Sequence, residues 1–127
     1  MLFQLGRNAE AVEHFKSALR LAPENGECRY NLGEALVRLG NYPEALRQFT
    51  KALLYKPAFA EAHDGLGRML YLGGDLDGAS EHFSAALRLK PDFSGAGDNL
   101  RRTLERKKEQ LLQRQPKDSP EPKAGDK

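Results

Sequence analysis

The sequence repeats itself every 34 residues, and this period limits what the chain can fold into. Three segments align at that interval, each running from a glycine to a proline: Gly6–Pro23, Gly40–Pro57 and Gly74–Pro91. A period of this length is typical of stacked supersecondary units, each of which buries its apolar face only against its neighbours. The period therefore predicts an array of helical repeats, in which a surface and not a catalytic pocket carries the function.

Apolar side chains recur at helical spacing within each segment. In the second segment Ala45, Phe49 and Ala52 fall on one helix face, and the other two segments carry the same residues at the same places. Glycine tolerates the positive φ of a helix C-terminus, and the residue before a proline disfavours helix. These signals predict helices over residues 7–22, 26–39, 42–55, 60–72, 76–89 and 95–114. Ser94 is the predicted N-cap of the last helix.

The last predicted helix differs from the others. Its apolar stripe is thin and consists of Ala96, Leu100, Leu104, Leu111 and Leu112, while six basic side chains stand against three acidic ones. A stack of repeats needs a polar element at its end, so we interpret this helix as a solubilising cap. The alternative is that its basic side chains attract acidic partners. Residues 116–127 hold three prolines and no large apolar side chain, and this composition predicts a disordered tail.

These residues resemble the tetratricopeptide repeat (TPR) family. That family has a Leu-Gly pair in the first helix of each repeat, then a glycine turn, an alanine, an aromatic residue, a second alanine and a closing proline. The second segment supplies Leu32, Gly33, Gly40, Tyr42, Ala45, Phe49, Ala52 and Pro57. The third supplies Leu66, Gly67, Gly74, Ala79, Phe83, Ala86 and Pro91, and the first supplies Gly6, Ala11, Phe15, Ala18 and Pro23. The resemblance implies an all-α, right-handed solenoid of antiparallel helix pairs, whose concave groove binds a peptide or a partner protein.

The resemblance also divides the chain into parts. These are a truncated first repeat with its second helix only (1–23), a second repeat (24–57), a third repeat (58–91), a C-terminal capping helix (92–115) and the disordered tail (116–127). Because the first repeat lacks nearly all of its first helix, the apolar face of residues 9–20 loses its usual cover, and exposed apolar faces mark interfaces. Three explanations are open: a fragment of a longer array, a homo-oligomer formed through residues 9–20, and a start codon placed too late.

Groove positions follow from the resemblance residue by residue. They are Glu27, Tyr30, Asn31, Glu34, Val37, Arg38, Glu61, Asp64, Gly65, Arg68, Tyr71, Leu72, Asp98, Asn99, Arg102 and Arg106. Tyr30 and Tyr71 are the expected anchors, because an aromatic ring brings a large contact area at a low cost in entropy. The alternative is that these side chains form an ordinary solvated surface.

Two peptide sites of the family fit this chain less well. A ladder of asparagines, as in the repeat domains of O-linked N-acetylglucosamine transferases, would use Asn31 and Asn99 but is interrupted at Gly65. The clamp that holds the C-terminal carboxylate of chaperones needs basic residues where this chain has Glu61 and Gly65. A regulatory or substrate-delivery segment of a larger enzyme, such as a glycosyltransferase, is a second interpretation beside a non-catalytic interaction module.

Neither composition nor motifs indicate an enzyme, a cofactor or a membrane protein. The net charge of +2 is too close to neutral to predict nucleic-acid binding, and no apolar run approaches the roughly 20 residues of a membrane span. Metalloprotease, phosphate-loop and nucleophile-elbow motifs do not occur. His14 and His82 lie two repeats apart, too far for one metal ion, and His63 has a structural role. Cys28 is the only cysteine, which favours a reducing compartment such as the cytoplasm.

Overall fold

The computed structural model describes residues 2–114, and their side chains from residue 5 onward. This part of the chain consists of six helices and contains no strand: α1 (Leu2–Leu21), α2 (Gly26–Arg38), α3 (Tyr42–Tyr55), α4 (Ala60–Leu72), α5 (Leu76–Leu89) and α6 (Ser94–Arg114). Each helix packs against the next one in sequence. The predicted all-α helical-repeat solenoid is therefore confirmed, and the tail predicted for residues 116–127 lies outside the described residues.

Side-chain caps and glycine turns mark the bounds of the middle helices. The side-chain oxygens of Asn25, Asn41 and Asp75 accept hydrogen bonds from backbone amides three residues later, at 3.0, 3.4 and 2.9 Å. Each of these bonds satisfies an amide that the first helical turn leaves unpaired. The turns after α2 and α4 contain Gly40 and Gly74, whose φ angles of 82° and 90° favour glycine. As a result α3, α4 and α5 have their predicted bounds, and α2 ends one residue early, at Arg38.

Both outer helices begin earlier than the sequence predicted. α1 starts at Leu2 and continues through Gly6, which does not adopt the positive φ of Gly40 and Gly74. The helix therefore continues through Gly6, where a glycine costs about 1 kcal/mol relative to alanine. The N-cap prediction for Ser94 is also wrong. α6 already includes Ser94, because the amide of Gly97 donates to the carbonyl of Phe93 at 3.1 Å.

Two phenylalanine rings fill the seams between helices. Phe49 and Phe83 are only 0% and 1% exposed. A Cβ atom added at Gly33 or Gly65 would lie 2.7 or 2.8 Å from the ring of Phe49, and one at Gly67 would lie 2.6 Å from the ring of Phe83. Such distances leave no room for a side chain, so glycine is what allows α2 and α4 to approach their neighbours this closely. Gly33 and Gly67 are the glycines of the two Leu-Gly pairs found in the sequence, and these contacts show what the pairs are for.

The equivalent face of α1 is only partly covered. Leu19 is buried, whereas Phe15 is half-buried and Ala18 is exposed. Their counterparts one repeat later, Phe49 and Ala52, are both 0% exposed. Within the described chain α1 packs only against α2, so part of the apolar face of residues 9–20 remains open, as the sequence predicted.

α6 buries only part of the predicted stripe. Ala96 is 0% exposed, as predicted, and Leu100 is half-buried, but Leu104 and Leu111 are 48% and 59% exposed. Thr103, which was not predicted, is 0% exposed. Thr103 stands one repeat after Met69, which is also buried. The repeat alignment with α4 therefore identifies the face of α6 that packs on the preceding repeat, and Thr103 lies on it. The leucines lie on the face that earlier repeats turn toward their own second helix, and no helix in residues 2–114 covers it on α6.

Candidate functional site

The inner surface of the array is formed by α2, α4 and α6. α2 contacts α4 and α4 contacts α6, whereas α1, α3 and α5 do not contact one another within residues 2–114. The stack therefore curves with α2, α4 and α6 on its short, concave side. Because these helices are 34 residues apart in sequence, equivalent positions come to lie side by side, and the predicted groove residues share this one surface.

A polar network ties the three inner helices together. The guanidinium of Arg68 on α4 donates to Glu34 on α2 at 2.7 Å and to Asp64 at 3.1 Å. The side-chain amide of Asn99 on α6 donates to the other oxygen of Asp64 at 3.0 Å. Burial by itself would lower the pKa of Arg68, but the two carboxylates outweigh it and raise the pKa. These charged hydrogen bonds therefore hold α2, α4 and α6 at a fixed spacing.

The two tyrosines predicted as anchors have different surroundings. The ring of Tyr30 packs against Phe59 and Phe49, with centroid distances of 5.0 and 5.8 Å. Burial, followed by the charge and hydrogen bond of Glu34, raises the pKa of Tyr30 far above its ordinary value. Tyr30 is therefore built into the wall of the groove. Tyr71 is half-buried, and the guanidinium of Arg106 lies over its ring at 5.0 Å.

One edge of the concave surface carries paired carboxylates. Glu27 bonds to Lys56 at 2.7 Å, and its counterpart Glu61 bonds to Lys90 at 2.9 Å. The bond from Lys90 lowers the pKa of Glu61. Exposed pairs of this kind contribute only about 0–1 kcal/mol each, so they add little to the stability of the fold. A carboxylate of a ligand at this edge would find no free lysine, because Lys56 and Lys90 are already paired with Glu27 and Glu61.

The opposite edge carries an apolar depression with basic side chains. The cavity, here called the α4–α6 pocket, has a volume of about 240 Å³ and is lined by Val37, Arg68, Met69, Tyr71, Leu72, Phe83, Asn99 and Arg102. Within residues 5–114, neither Arg102 nor Arg106 has a carboxylate within 4.0 Å. Arg102 reaches only the amide oxygen of Asn99, at 3.5 Å. The pocket therefore combines an apolar lining with Arg102, and Arg106 lies beside it over the ring of Tyr71; neither arginine has a carboxylate partner within 4.0 Å in the described chain.

The remaining predicted groove residues divide into exposed and engaged ones. Asn31 and Arg38 on α2 are exposed. Asp98 forms an ion pair with Arg101 at 2.9 Å, so its carboxylate is already engaged. Gly65 lies under the ring of Phe49 and the amide of Asn99 is bound to Asp64. Between Asn31 and Asn99 the described surface thus offers no continuous ladder of free amides.

A contact between two histidines was not predicted. The Nδ1 atoms of His63 on α4 and His82 on α5 lie 3.1 Å apart, and Nε2 of His63 lies 3.1 Å from the carbonyl oxygen of Pro57. A carbonyl oxygen only accepts, so neutral His63 carries its proton on Nε2 and accepts at Nδ1 from His82. The signal for this contact was in the repeat alignment. One repeat earlier, Arg29 and Gln48 occupy the same two places and bond at 3.1 Å.

This histidine pair is expected to make the fold less stable in mild acid. Burial, followed by the charge of His63, lowers the pKa of His82, against a smaller opposing effect of Glu81 and Asp75. The unfolded chain therefore binds the proton more tightly, and the stabilisation present above the ordinary histidine pKa of about 6.5 is lost as the pH falls through the lower folded pKa. Thermal unfolding followed by circular dichroism should show a lower Tm at pH of about 5.5 than at about 7.5.

The second repeat provides the control for this pH dependence. A double variant, His63→Arg with His82→Gln, installs the side chains that already pair at the equivalent places, Arg29 and Gln48. Its Tm should change less over the same pH range than that of the wild-type chain. Equal changes in both proteins would show that the histidine pair does not cause the effect.

No metal site or membrane span occurs in the described part of the chain. Within it, no three histidine, cysteine, aspartate or glutamate side chains are placed to hold a metal ion. None of the helices α1–α6 is long and apolar enough to cross a bilayer. The predictions of a reducing, cytoplasmic location and of no nucleic-acid partner are not tested by these features.

Comparison with known proteins gives a family and several structural relatives. Residues 2–48 and 30–92 match the family model described as tetratricopeptide repeat. No curated protein matches the chain in sequence. The first TPR domain of Spaghetti (RPAP3), bound to the HSP90 peptide SRMEEVD, is similar to it with a TM-score of 0.79 and 21% identity, over 84% of each chain.

Two further solved structures are similar in fold. The second TPR domain of human RPAP3, in complex with the HSP70 peptide SGPTIEEVD, has a TM-score of 0.73 and 24% identity, over 80% of this chain and 84% of that one. An O-GlcNAc transferase from Thermobaculum terrenum has a TM-score of 0.73 and 28% identity. The match covers 79% of this chain but 19% of that enzyme.

Proposed function

Because the chain belongs to the tetratricopeptide repeat family, we propose that the concave surface of α2, α4 and α6 binds a peptide segment of a partner protein and catalyses no reaction. The observation that carries this proposal is the network of Glu34, Arg68, Asp64 and Asn99, which joins all three inner helices. These bonds hold the three helices in place before a ligand binds, and a preformed surface loses less entropy on binding.

The similar domains support a peptide as the ligand. Two of them hold short chaperone peptides, SRMEEVD and SGPTIEEVD. The carboxylate clamp of the family is not part of the proposal, since Glu61 and Gly65 stand where that clamp needs basic residues. In addition, the paired carboxylates Glu27 and Glu61 occupy that edge of the surface. The peptide of this chain is therefore expected to differ from a chaperone C-terminus in how it is held.

A second candidate function is substrate delivery within a larger enzyme. It is favoured by the similarity to the Thermobaculum terrenum O-GlcNAc transferase, of whose length this chain covers 19%. The side chains give it less support, because Asn99 is engaged by Asp64 and Gly65 interrupts the row of asparagines.

Self-association through residues 9–20 is the least favoured alternative. A second copy would have to bring a helix with a glycine against Phe15, as Gly33 does against Phe49. The uncovered face of α6 has Arg101 at that place, two repeats after Gly33. An arginine there would collide with the ring, so stacking of one copy on the next in the register of the repeats is disfavoured.

The groove can be tested with two matched leucine variants. Random dodecapeptides displayed on phage would be selected against the wild-type chain, and the enriched peptides synthesised and measured by fluorescence anisotropy. Leu72→Glu places a charge in the groove, whereas Leu54→Glu makes the same change on α3. Both leucines are exposed, at 59% and 70%, so neither variant should unfold the chain.

Leu72→Glu is expected to weaken peptide binding about tenfold or more, because a charge replaces apolar contact area. Leu54→Glu should bind as the wild-type chain does. A selection that enriches no peptide, or equal losses in both variants, would refute the proposal that the concave surface is the binding site. Circular dichroism melts of both variants provide the check on folding.

A further inference from the structure

The α4–α6 pocket has the size and lining for a single large side chain. An apolar cavity of about 150 Å³ is enough to hold a benzene ring, and this pocket measures about 240 Å³. Its floor is made by Val37, Met69 and Phe83, of which Met69 and Phe83 are buried. Leu72, 59% exposed, stands at its mouth. A leucine, methionine or phenylalanine of a ligand would cover apolar surface that now faces water.

Two unneutralised arginines stand beside this pocket. Arg102 lines it, and Arg106 lies 5.0 Å over the ring of Tyr71, which lines it as well. The two arginines are four residues apart on α6, where like charges face each other and slightly destabilise a helix. Glu34 and Asp64 are both bonded to Arg68, which lines the pocket, and Asp98 on α6 is paired with Arg101. A bound carboxylate would therefore relieve a repulsion that the described chain does not relieve itself.

We propose that the α4–α6 pocket recognises an acidic peptide, with one large apolar side chain inserted in the pocket and an adjacent carboxylate held by Arg102 and Arg106. The inference rests on the proposed peptide-binding function and specifies its ligand. Charge complementarity supports it, because Arg102 and Arg106 have no carboxylate within 4.0 Å among residues 5–114, whereas the lysines at the opposite edge are already paired with Glu27 and Glu61. Residues 115–127 of this chain do not qualify as the occupant, since they include no large apolar side chain.

The phage selection described above can test this chemistry. The enriched dodecapeptides should share a leucine, methionine, phenylalanine or isoleucine with aspartate or glutamate within two positions of it. In a synthesised peptide, replacing the apolar residue by alanine, or the acidic residues by their amides, should each weaken binding about tenfold or more. Binding should also weaken between about 0.05 and 0.3 M salt, because added salt screens exposed charges.

Two double variants on the same helix localise the effect. Arg102→Glu with Arg106→Glu reverses the charge beside the pocket and should lower the affinity for the acidic peptides about tenfold or more. Arg101→Glu with Lys108→Glu makes an identical change in charge on the outer face of α6, where both residues line a separate surface groove with Leu104. This control should bind almost as well as the wild-type chain. Melting curves of both variants verify that α6 stays folded.

The outcomes separate this inference from the proposed function. If peptides are enriched and bind the groove but are neutral or basic, the inference is refuted and the proposed function stands. If no peptide is enriched, both are refuted. Equal losses in the two double variants would refute the role of Arg102 and Arg106. Light scattering tests whether a second copy of the chain occupies the pocket. If the wild-type chain is a dimer and the variant Arg102→Glu with Arg106→Glu is a monomer, the pocket binds a second copy and the inference is overturned.

Discussion

Replacing Phe49 with alanine is expected to lower the free energy of unfolding by about 3–5 kcal/mol, the range for a fully buried aromatic ring. Phe49 is 0% exposed and lies between Gly33 on α2 and Gly65 on α4. Neither glycine has a side chain that could move into the space that the ring leaves, and the neighbouring ring of Tyr30 also packs against Phe59. The cavity would persist, and both seams that α3 makes with its neighbours would weaken.

Phe15 provides the internal control for Phe49. It occupies the same place one repeat earlier but is only half-buried. Phe15→Ala is expected to lose less than half as much stability, because less surface is buried and the site opens to water. Urea unfolding followed by circular dichroism measures both. Where Phe49→Ala does not fold, Phe49→Leu preserves the comparison, and equal losses at the two positions would contradict the difference in burial.

Replacing Arg68 with methionine is expected to lower the free energy of unfolding by about 2–3 kcal/mol. This is somewhat less than the loss when a fully buried ion pair loses one partner. The side chains of Glu34 and Asp64 are 19% and 10% exposed, and both bond to Arg68. Methionine keeps much of the aliphatic stem, so the loss isolates the charge. Without the guanidinium, two carboxylates would remain on the concave surface with little access to water.

A rescue experiment distinguishes charge from packing at this network. Adding Glu34→Gln and Asp64→Asn to Arg68→Met removes the uncompensated charges and should recover more than half of the lost stability. As a control, Lys56→Met breaks the exposed pair with Glu27 and should cost less than about 1 kcal/mol. Failure of the rescue would mean that Arg68 acts through its packing over Phe49, from which its guanidinium carbon is 6.0 Å.

The 34-residue period was enough to predict the helices and the seams. It located five of the six helices to within a residue or so, and it identified Phe49 and Phe83 as buried. Each repeat packs on its neighbours through the same layer of small and large side chains, so residues that align between repeats make equivalent contacts between helices. The alignment does not explain why position 65 is glycine, because the aligned positions are Asn31 and Asn99; the structure does, since Gly65 lies against the ring of Phe49.

Contacts between helices account for what could not be predicted. The stripe on α6 was read from leucine spacing within one helix, and such spacing does not show which face meets the preceding repeat. The buried Thr103 stands where Met69 is buried one repeat earlier, so the alignment held the information that local spacing did not.

The side-chain partners in the groove were also outside the reach of the sequence. The predicted groove residues do share one surface, but which of them pair depends on lateral distances. Asp64 and Asn99 bond to each other, whereas Arg102 and Arg106 find no carboxylate among residues 5–114. The pairing of His63 with His82 is different, because these two positions align with Arg29 and Gln48, which bond to each other one repeat earlier.

The position of a selected peptide on the chain can be measured directly by NMR, using chemical-shift changes of ¹⁵N-labelled protein during titration with that peptide. A peptide held in the groove should shift amides along α2, α4 and α6, with the largest changes around Tyr71, Leu72 and Arg102. Amides on the outer faces of α3 and α5 should stay in place. Changes concentrated on α3 and α5, or on α1 alone, would contradict peptide binding by the concave surface.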